Sequence, residues 1–430
     1  MPSWLIFAIN ILLLGYVIGL LYQRSQHLPL ISFFFPGLIC KLCTGILLGI
    51  LYQWYFEGGD TLNYFHDAGV LSALAADNFL LYVKALFANT LSEGLPNGLN
   101  FINQPRALFF SKILSFFSFI THHNYWLISL YLSLLSFWGM WYLANQLTKI
   151  FSGTRHAAGL AFLFFPSVVF WSSGLMKESI AMPSLCVLVA FTLSYIQTSS
   201  VSAKEVIRKI PVILLLLWLL WQLKYYYFGV LVPILGTSIL VKMINHRIKI
   251  AAFYAKILIW VGVFVSLLGL ASLVHPNLQL ENFLTALVRN HDLIYHASSL
   301  ENLIQYNALE PTWTSLLANL PNALFSGLFR PMLWEIHTPF HVLLAIENTF
   351  LLLLTLLAII QLFRYRPSRT HSILLFATIV YILLMATLLA LASPNLGSLA
   401  RYRIGFLPFF VYVLLCGVNF KIFMHRDVKA

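Results

Sequence analysis

Stretches of about twenty residues with scarcely a charge recur from one end of this chain to the other, and that pattern excludes most folds. A helix needs roughly 20 apolar residues to cross the hydrocarbon core of a bilayer, whereas a surface helix of a soluble domain keeps one polar face. The runs lie near 4 to 22, 28 to 55, 124 to 146, 156 to 175, 179 to 198, 210 to 223, 228 to 241, 250 to 274, 339 to 363, 371 to 393 and 404 to 424. They predict an all-α, polytopic integral membrane protein of about 11 transmembrane helices, built as a single transmembrane domain over residues 1–430. Composition agrees: 60% of residues are hydrophobic and 9% charged, against about 25% charged in soluble domains. The first run, Trp4 to Tyr22, has no basic segment before it and is long enough to span, so it reads as a retained helix and not a cleaved signal.

Charge sorts the loops. With the N-terminus outside, the inner loops collect Arg24, Lys149, Arg155, Lys204, Arg208, Lys209, Lys242, Arg247, Lys249, Arg364, Arg366, Arg369, Lys421, Arg426 and Lys429, which is 15 of the 26 basic residues. The same side holds only Glu205 and Asp427. That is the bias expected of cytoplasmic loops, and it places the C-terminus in the cytoplasm. The net charge of +12 is explained by such loops facing anionic lipid. Nucleic acid is not an expected partner, since no basic soluble domain is present to neutralise phosphates. The pair 210 to 223 and 228 to 241 is short and could form a hairpin that does not fully cross. Two long segments, Glu57 to about His123 and His275 to about Thr338, stay outside and mix apolar stretches with prolines and charges, as amphipathic surface helices do.

Several residues stand out against this apolar background. Glu57-Gly58-Gly59-Asp60-Thr61-Leu62-Asn63-Tyr64-Phe65-His66-Asp67 lies where the second run leaves the bilayer. Paired glycines allow a sharp turn off a helix end and keep Asp60 at the membrane boundary, where partial desolvation suits a carboxylate to act as a general base or hold a cation. The alternative is a cap for the helix that follows. Lys177 and Glu178 interrupt an apolar stretch, and ionisable groups at such depth tend to face a cavity or pathway; a snorkelling turn is the rival reading. Lys224 sits beside Tyr225, Tyr226 and Tyr227, which suit an aromatic belt at the headgroups. Arg330, Arg401 and Arg403 fall on the side where basic residues are disfavoured, so they are candidates for holding a phosphate or for bridges to Glu335, Glu347 or Glu301. The four cysteines lie within apolar runs and the thirteen histidines show no ligand spacing, which suggests neither a disulfide framework nor a zinc site. Asp60, Asp67 and Glu178 offer the oxygen ligands that a divalent cation prefers.

The acidic residue that opens the long outer segment, followed by Asn103-Gln104-Pro105-Arg106 and an apolar stretch leading to Tyr125-Trp126-Leu127, resembles the GT-C superfamily of membrane glycosyltransferases. A weaker match falls on Arg401-Tyr402-Arg403 and Pro408. The resemblance implies a polyprenyl-phosphate-linked sugar donor, a lipid-linked or surface glycan acceptor, and catalytic acids at Asp60 and Glu178. Substrate contacts are expected at Lys177, Lys224, Arg330, Arg401, Arg403, Tyr64 and Asp67, and the membrane is expected to be a bacterial plasma membrane. The stretch Gly58-Gly59-Asp60-Thr61-Leu62-Asn63-Tyr64 is also similar to the Gly-x-Asp-x-x-x-Tyr pattern of EpsG-type polysaccharide polymerases; where that group carries Arg-Gln-x-Ile-Ala, this chain has Lys177-Glu178-Ser179-Ile180-Ala181. Transfer of one sugar, polymerisation of lipid-linked repeat units, and transport therefore remain as alternatives.

Overall fold

The computed structural model describes residues 3–198, 202–250, 252–274, 279–364 and 372–418. In chain order the helices are α1 Ser3–Ser25, α2 Phe34–Trp54, α3 Asp60–Asp77, α4 Phe79–Phe87, α5 Pro105–Thr121, α6 Tyr125–Ile150, α7 Arg155–Gly159, α8 Pro166–Trp171, α9 Glu178–Gln197, α10 Ala203–Ile248, α11 Phe253–Val274, α12 Leu280–His296, α13 Trp313–Phe329, α14 Pro339–Arg364, α15 Ser372–Ala392, α16 Leu396–Tyr402 and α17 Leu407–Val418. Among the described residues the only β-type pairing is an isolated bridge between Leu303 and Asn395. Apolar surroundings leave no water for backbone polar groups, and an α-helix satisfies them all within its own segment.

Among the described residues eight helices, α1, α2, α6, α9, α10, α11, α14 and α15, are long and apolar enough to cross a membrane, and α16 with α17 makes a ninth if that pair, bent by 70°, is one span. The expected count of about eleven differs from this for two reasons. The run 156 to 175 is not one helix: α7 passes into a π-helical turn over Leu160–Phe164, and α8 starts afresh at Pro166. Proline has no N–H and its ring collides with the carbonyl four residues back, so Phe165 before it is extended (φ −65°, ψ 122°). The runs 210 to 223 and 228 to 241 belong to one 46-residue helical element, α10, interrupted only at Lys224 (φ −145°, ψ 70°). The stretches on either side of Lys224 each reach the length that a crossing needs. The basic positions Arg366, Arg369, Lys421, Arg426 and Lys429, with Asp427, lie outside the described residues.

The segments expected to stay out of the bilayer do hold shorter helices, α3 to α5 in the first and α12 and α13 in the second. Contacts divide the chain into two compact units, the first drawn from residues 1–151, 162–190 and 202–228 and the second from the remaining described residues. Within the first, α6 is the inner helix: 72% of its apolar window is buried, against 11% for α1. One face of α2 carries Gly37, Lys41, Gly45 and Gly49 at four-residue spacing, and all four are buried. Small residues at that spacing let helices approach closely; a Cβ on Gly49 would lie 2.5 Å from the Tyr125 ring. Gly139 of α6 sits against the backbone of Pro183 in α9, again with no room for a side chain. In the second unit, Gly327 of α13 meets the Ala386 backbone of α15 in the same way.

Helix C-termini leave carbonyls without intrahelical partners, and three of them are finished by a lysine from another helix. Lys112 of α5 donates to the Ala88 carbonyl at the end of α4 at 2.5 Å. Lys242 of α10 donates to the Tyr195 carbonyl and, at 2.8 Å, to that of Thr198 at the end of α9. Lys41 of α2 reaches the Val169 carbonyl near the end of α8 at 3.4 Å. A cation at that end also offsets the partial negative charge of the helix dipole.

Candidate functional site

The site is built where α2 turns into α3. Glu57, Gly58 and Gly59 all adopt positive φ, at 50°, 152° and 114°, so the glycine pair does supply the sharp exit that its sequence suggested. Gly59 is the N-cap residue and Asp60 the first residue of α3. Asp60 is therefore not the cap itself; it lies in the first turn, where the helix dipole favours a negative charge. Its side chain is partly exposed. Next to it, the Thr61 hydroxyl pairs with Tyr125 Oη at 2.8 Å, which fixes the start of α3 against α6.

One turn along the same face, Tyr64 is buried, with its ring between Phe101 (4.7 Å) and Phe110 (4.9 Å). The Lys177 ammonium lies over that ring at 5.5 Å from its centroid. Glu178, the next residue, opens α9 and forms an ion pair with Lys224 at 2.5 Å, both side chains being at most 3% exposed. Lys224 also lies 5.5 Å from the Tyr226 ring, and the following Tyr225 carries the Arg106 guanidinium 4.0 Å above its own ring. Arg106 is exposed in the first turn of α5, the helix that also holds Phe110 against Tyr64. The contacts thus close a ring: Tyr64, Lys177, Glu178, Lys224, Tyr225, Arg106, and back through α5. The break in α10 at Lys224 is what aims its ammonium at Glu178 while Tyr225 takes Arg106.

The ring divides into an open part and a closed part. Within the ring Lys177 and Arg106 are at least partly exposed, as is Asp60 one turn before Tyr64 on α3, whereas Glu178 and Lys224 are sealed against each other. The Glu178 carboxylate is taken up by the Lys224 ammonium, so the geometry gives this pair a holding task and leaves Asp60 as the more accessible carboxylate.

Asp67, expected among the substrate contacts, is fully buried. Its Oδ1 accepts from Asn100 N at 2.8 Å and Asn100 Nδ2 at 3.0 Å, and its Oδ2 from Phe101 N at 3.0 Å. The carboxylate is spent on pinning the loop before α5, and with Glu178 paired elsewhere, Asp60, Asp67 and Glu178 do not share a cation. Among the described residues no three histidine, cysteine or acidic side chains are grouped as metal ligands. Below this loop a small core of Leu71, Tyr82, Ala85, Leu95 and Leu108 ties α3, α4 and α5 together. Burial pushes the Lys112 ammonium there below its ordinary range, with Glu93 pulling the other way, and burial raises the Tyr82 phenol, whose hydroxyl pairs with Ser115 at 2.8 Å.

The three arginines lie in the second unit. Arg330 is bridged to Glu335 through Nη2, with Nε at 2.7 Å from the same carboxylate. Arg403 is fully buried, 3.6 Å from Glu347, and donates to the Arg330 carbonyl at 3.3 Å. Asn348 donates to the Pro331 carbonyl at 2.9 Å and closes the corner. For these two arginines the rival expectation, bridges to Glu335 and Glu347, is the one that the structure shows. Arg401 is half-buried, its guanidinium 5.0 Å from the Tyr402 ring and 3.3 Å from its hydroxyl.

Two participants were missed from sequence. Arg106 carries no local signal beyond its place in Asn103-Gln104-Pro105-Arg106, and its stacking on Tyr225 joins positions far apart in the chain. Lys41 lay hidden inside an apolar run, where its four-residue spacing from Gly37 and Gly45 was the available signal. Comparison with protein-family models, curated proteins and solved structures gives no match.

Proposed function

We propose that this protein is a membrane glycosyltransferase that moves a sugar from a polyprenyl-phosphate-linked donor to a lipid-linked or surface glycan acceptor. In this reading the fold is GT-C-like, the 57–123 segment and the N-terminus face outward from a bacterial plasma membrane, and the C-terminus is cytoplasmic. The observation that carries it is the exposed edge of the site: the accessible carboxylate of Asp60, one helical turn from a tyrosine ring that bears Lys177, with an exposed Arg106 held on Tyr225 further along the same chain of contacts. A partly exposed carboxylate one turn from an aromatic face that carries a lysine suits displacement at an anomeric carbon. Asp60 takes the proton of the acceptor hydroxyl, the acceptor oxygen bonds to the anomeric carbon, and the bond to the donor phosphate breaks. Lys177 and Arg106 then stabilise the charge that develops on the departing lipid phosphate. With Arg330 and Arg403 paired to carboxylates, this role moves from them to the cations of the ring.

The test is Asp60→Asn in right-side-out vesicles supplied with polyprenyl-phosphate sugar. The amide keeps the shape but accepts no proton, so turnover should fall roughly 10²-fold or more while the folded protein remains in the membrane. Near-normal transfer by the variant would remove the base from the mechanism. Products of many lengths from lipid-linked repeat units would assign the site to a polymerase. Movement of the lipid-linked sugar with no new glycosidic bond would assign it to transport, a reading that the broken stretch from α7 to α9 favours, since discontinuous helices build many transport sites.

A further inference from the structure

Lys41 sits near the middle of α2, 3% exposed, and makes no ion pair with any carboxylate among the described residues. A lysine near a helix end would snorkel to water; this one turns inward. Its ammonium has three N–H bonds and three acceptors: Ser172 Oγ, the Val169 carbonyl at 3.4 Å and Met140 Sδ at 3.5 Å. The Ser172 hydroxyl proton is committed to the Val168 carbonyl, so Ser172 accepts from the lysine. An interior ionisable group of this kind is expected to serve a function.

What Lys41 holds is the start of the non-helical stretch between α8 and α9, residues 172–177. Two neighbours on α2 hold the next two residues. Thr44 Oγ1 pairs with Ser173 Oγ at 3.0 Å. Gly174, at φ 66°, packs so tightly that a Cβ on it would lie 3.1 Å from the Gly45 carbonyl, and its N–H donates to Ser133 at 3.0 Å. Three residues further on come Lys177 and Glu178. Non-helical backbone at membrane depth persists only where protein satisfies it, and α2 supplies that support residue by residue.

We propose that Lys41 is a positioning residue for the Lys177–Glu178 corner. By fixing the end of α8 it sets where the unwound stretch delivers Lys177 to Tyr64 and Glu178 to Lys224, and so acts from mid-membrane on a site it does not touch. The inference rests on the reading of that corner as part of the transfer site, but its geometric half can be measured without any substrate.

The experiment uses the full chain in lipid nanodiscs with Lys41→Met, Lys41→Arg and Ser172→Ala. The first readout is the coupling between Glu178 and Lys224, taken from thermal unfolding of Glu178→Gln, Lys224→Met and the double variant, with and without Lys41→Met. The second is transfer by each Lys41 and Ser172 variant. Lys41→Met should lower the coupling to less than half and cut kcat about tenfold or more, as small misplacements of catalytic groups do, with donor KM little changed. Lys41→Arg should restore part of both. If Lys41→Met does not fold, Ser172→Ala, which removes one acceptor only, must show the same two losses in weaker form. Unchanged coupling in the folded variant overturns the proposal, as does lost turnover with coupling intact. Coupling reduced by Lys41→Met, in a protein whose wild type transfers no sugar, leaves Lys41 as positioning residue and overturns the transferase reading alone.

Discussion

Separating Glu178 from Lys224 should destabilise the protein far more than replacing both. At 2.5 Å, their attraction at an effective dielectric of about 20 comes to roughly 7 kcal/mol. Removing the two charges from water costs several kcal/mol each, so the net contribution of the intact pair is small. A single replacement keeps the cost and loses the attraction: Glu178→Gln leaves a buried ammonium facing an amide, and Lys224→Met leaves a buried carboxylate facing a thioether. Each should lower stability by about 3–5 kcal/mol. The double variant removes both charges and should recover most of that loss, giving a coupling of several kcal/mol in a double-mutant cycle. The assay is unfolding of purified protein in detergent, followed by tryptophan fluorescence and circular dichroism. Additive losses, with the double variant as unstable as the sum of the singles, would refute the argument. So would single variants as stable as wild type, because water or another group would then be satisfying the residue left behind.

Two further outcomes follow from the segment between α2 and α6. Asp67→Ala strands the Asn100 and Phe101 amides that it now accepts, at about 1–3 kcal/mol for each unsatisfied group, so limited proteolysis should cut between residues 88 and 104 much faster than in wild type; an unchanged digestion pattern would contradict the bracing role. His123 is stacked on Phe65 at 3.9 Å, and burial, with His66 and His122 adding to it, holds its proton affinity below the ordinary value of 6.5. The folded state then binds fewer protons than the unfolded one, so this contribution is complete above about pH 6.5 and lost as pH falls below it; His123→Gln should flatten the decline in melting temperature between pH 7 and 5, and an equally steep decline would assign the effect to other groups.

Helix positions were the most legible part of the sequence. The runs behind α1, α6, α9, α11 and α14 translate into helices within a few residues because bilayer thickness sets their length whatever their partners. The same averaging hid the exceptions. Pro166 and Lys41 each lie in a window whose mean hydropathy is high, and one residue changes a mean little, although it breaks a helix in the first case and organises an interior in the second. The turn into α3 ahead of Asp60 was legible because glycines mark a turn locally. The pairing of Glu178 with Lys224 and of Asp67 with Asn100 was not, since each joins residues on different elements. The Arg330 bridge to Glu335 spans five residues, and it was accordingly among the alternatives that local sequence could raise.

The lysine caps also bear on how such a chain is made. A ribosome delivers helices one at a time, yet each of these helix ends is completed by a residue from elsewhere in the chain. The α4 end waits 24 residues for Lys112 and the α9 end 44 residues for Lys242. Lys41 runs the other way, entering the translocon 128 residues before the Val169 carbonyl exists. Of its three partners Met140 of α6 is made first, and the oxygen acceptors Val169 and Ser172 come only with α8. Vectorial synthesis therefore makes α2 an early span whose contacts are completed only once α8 has been made.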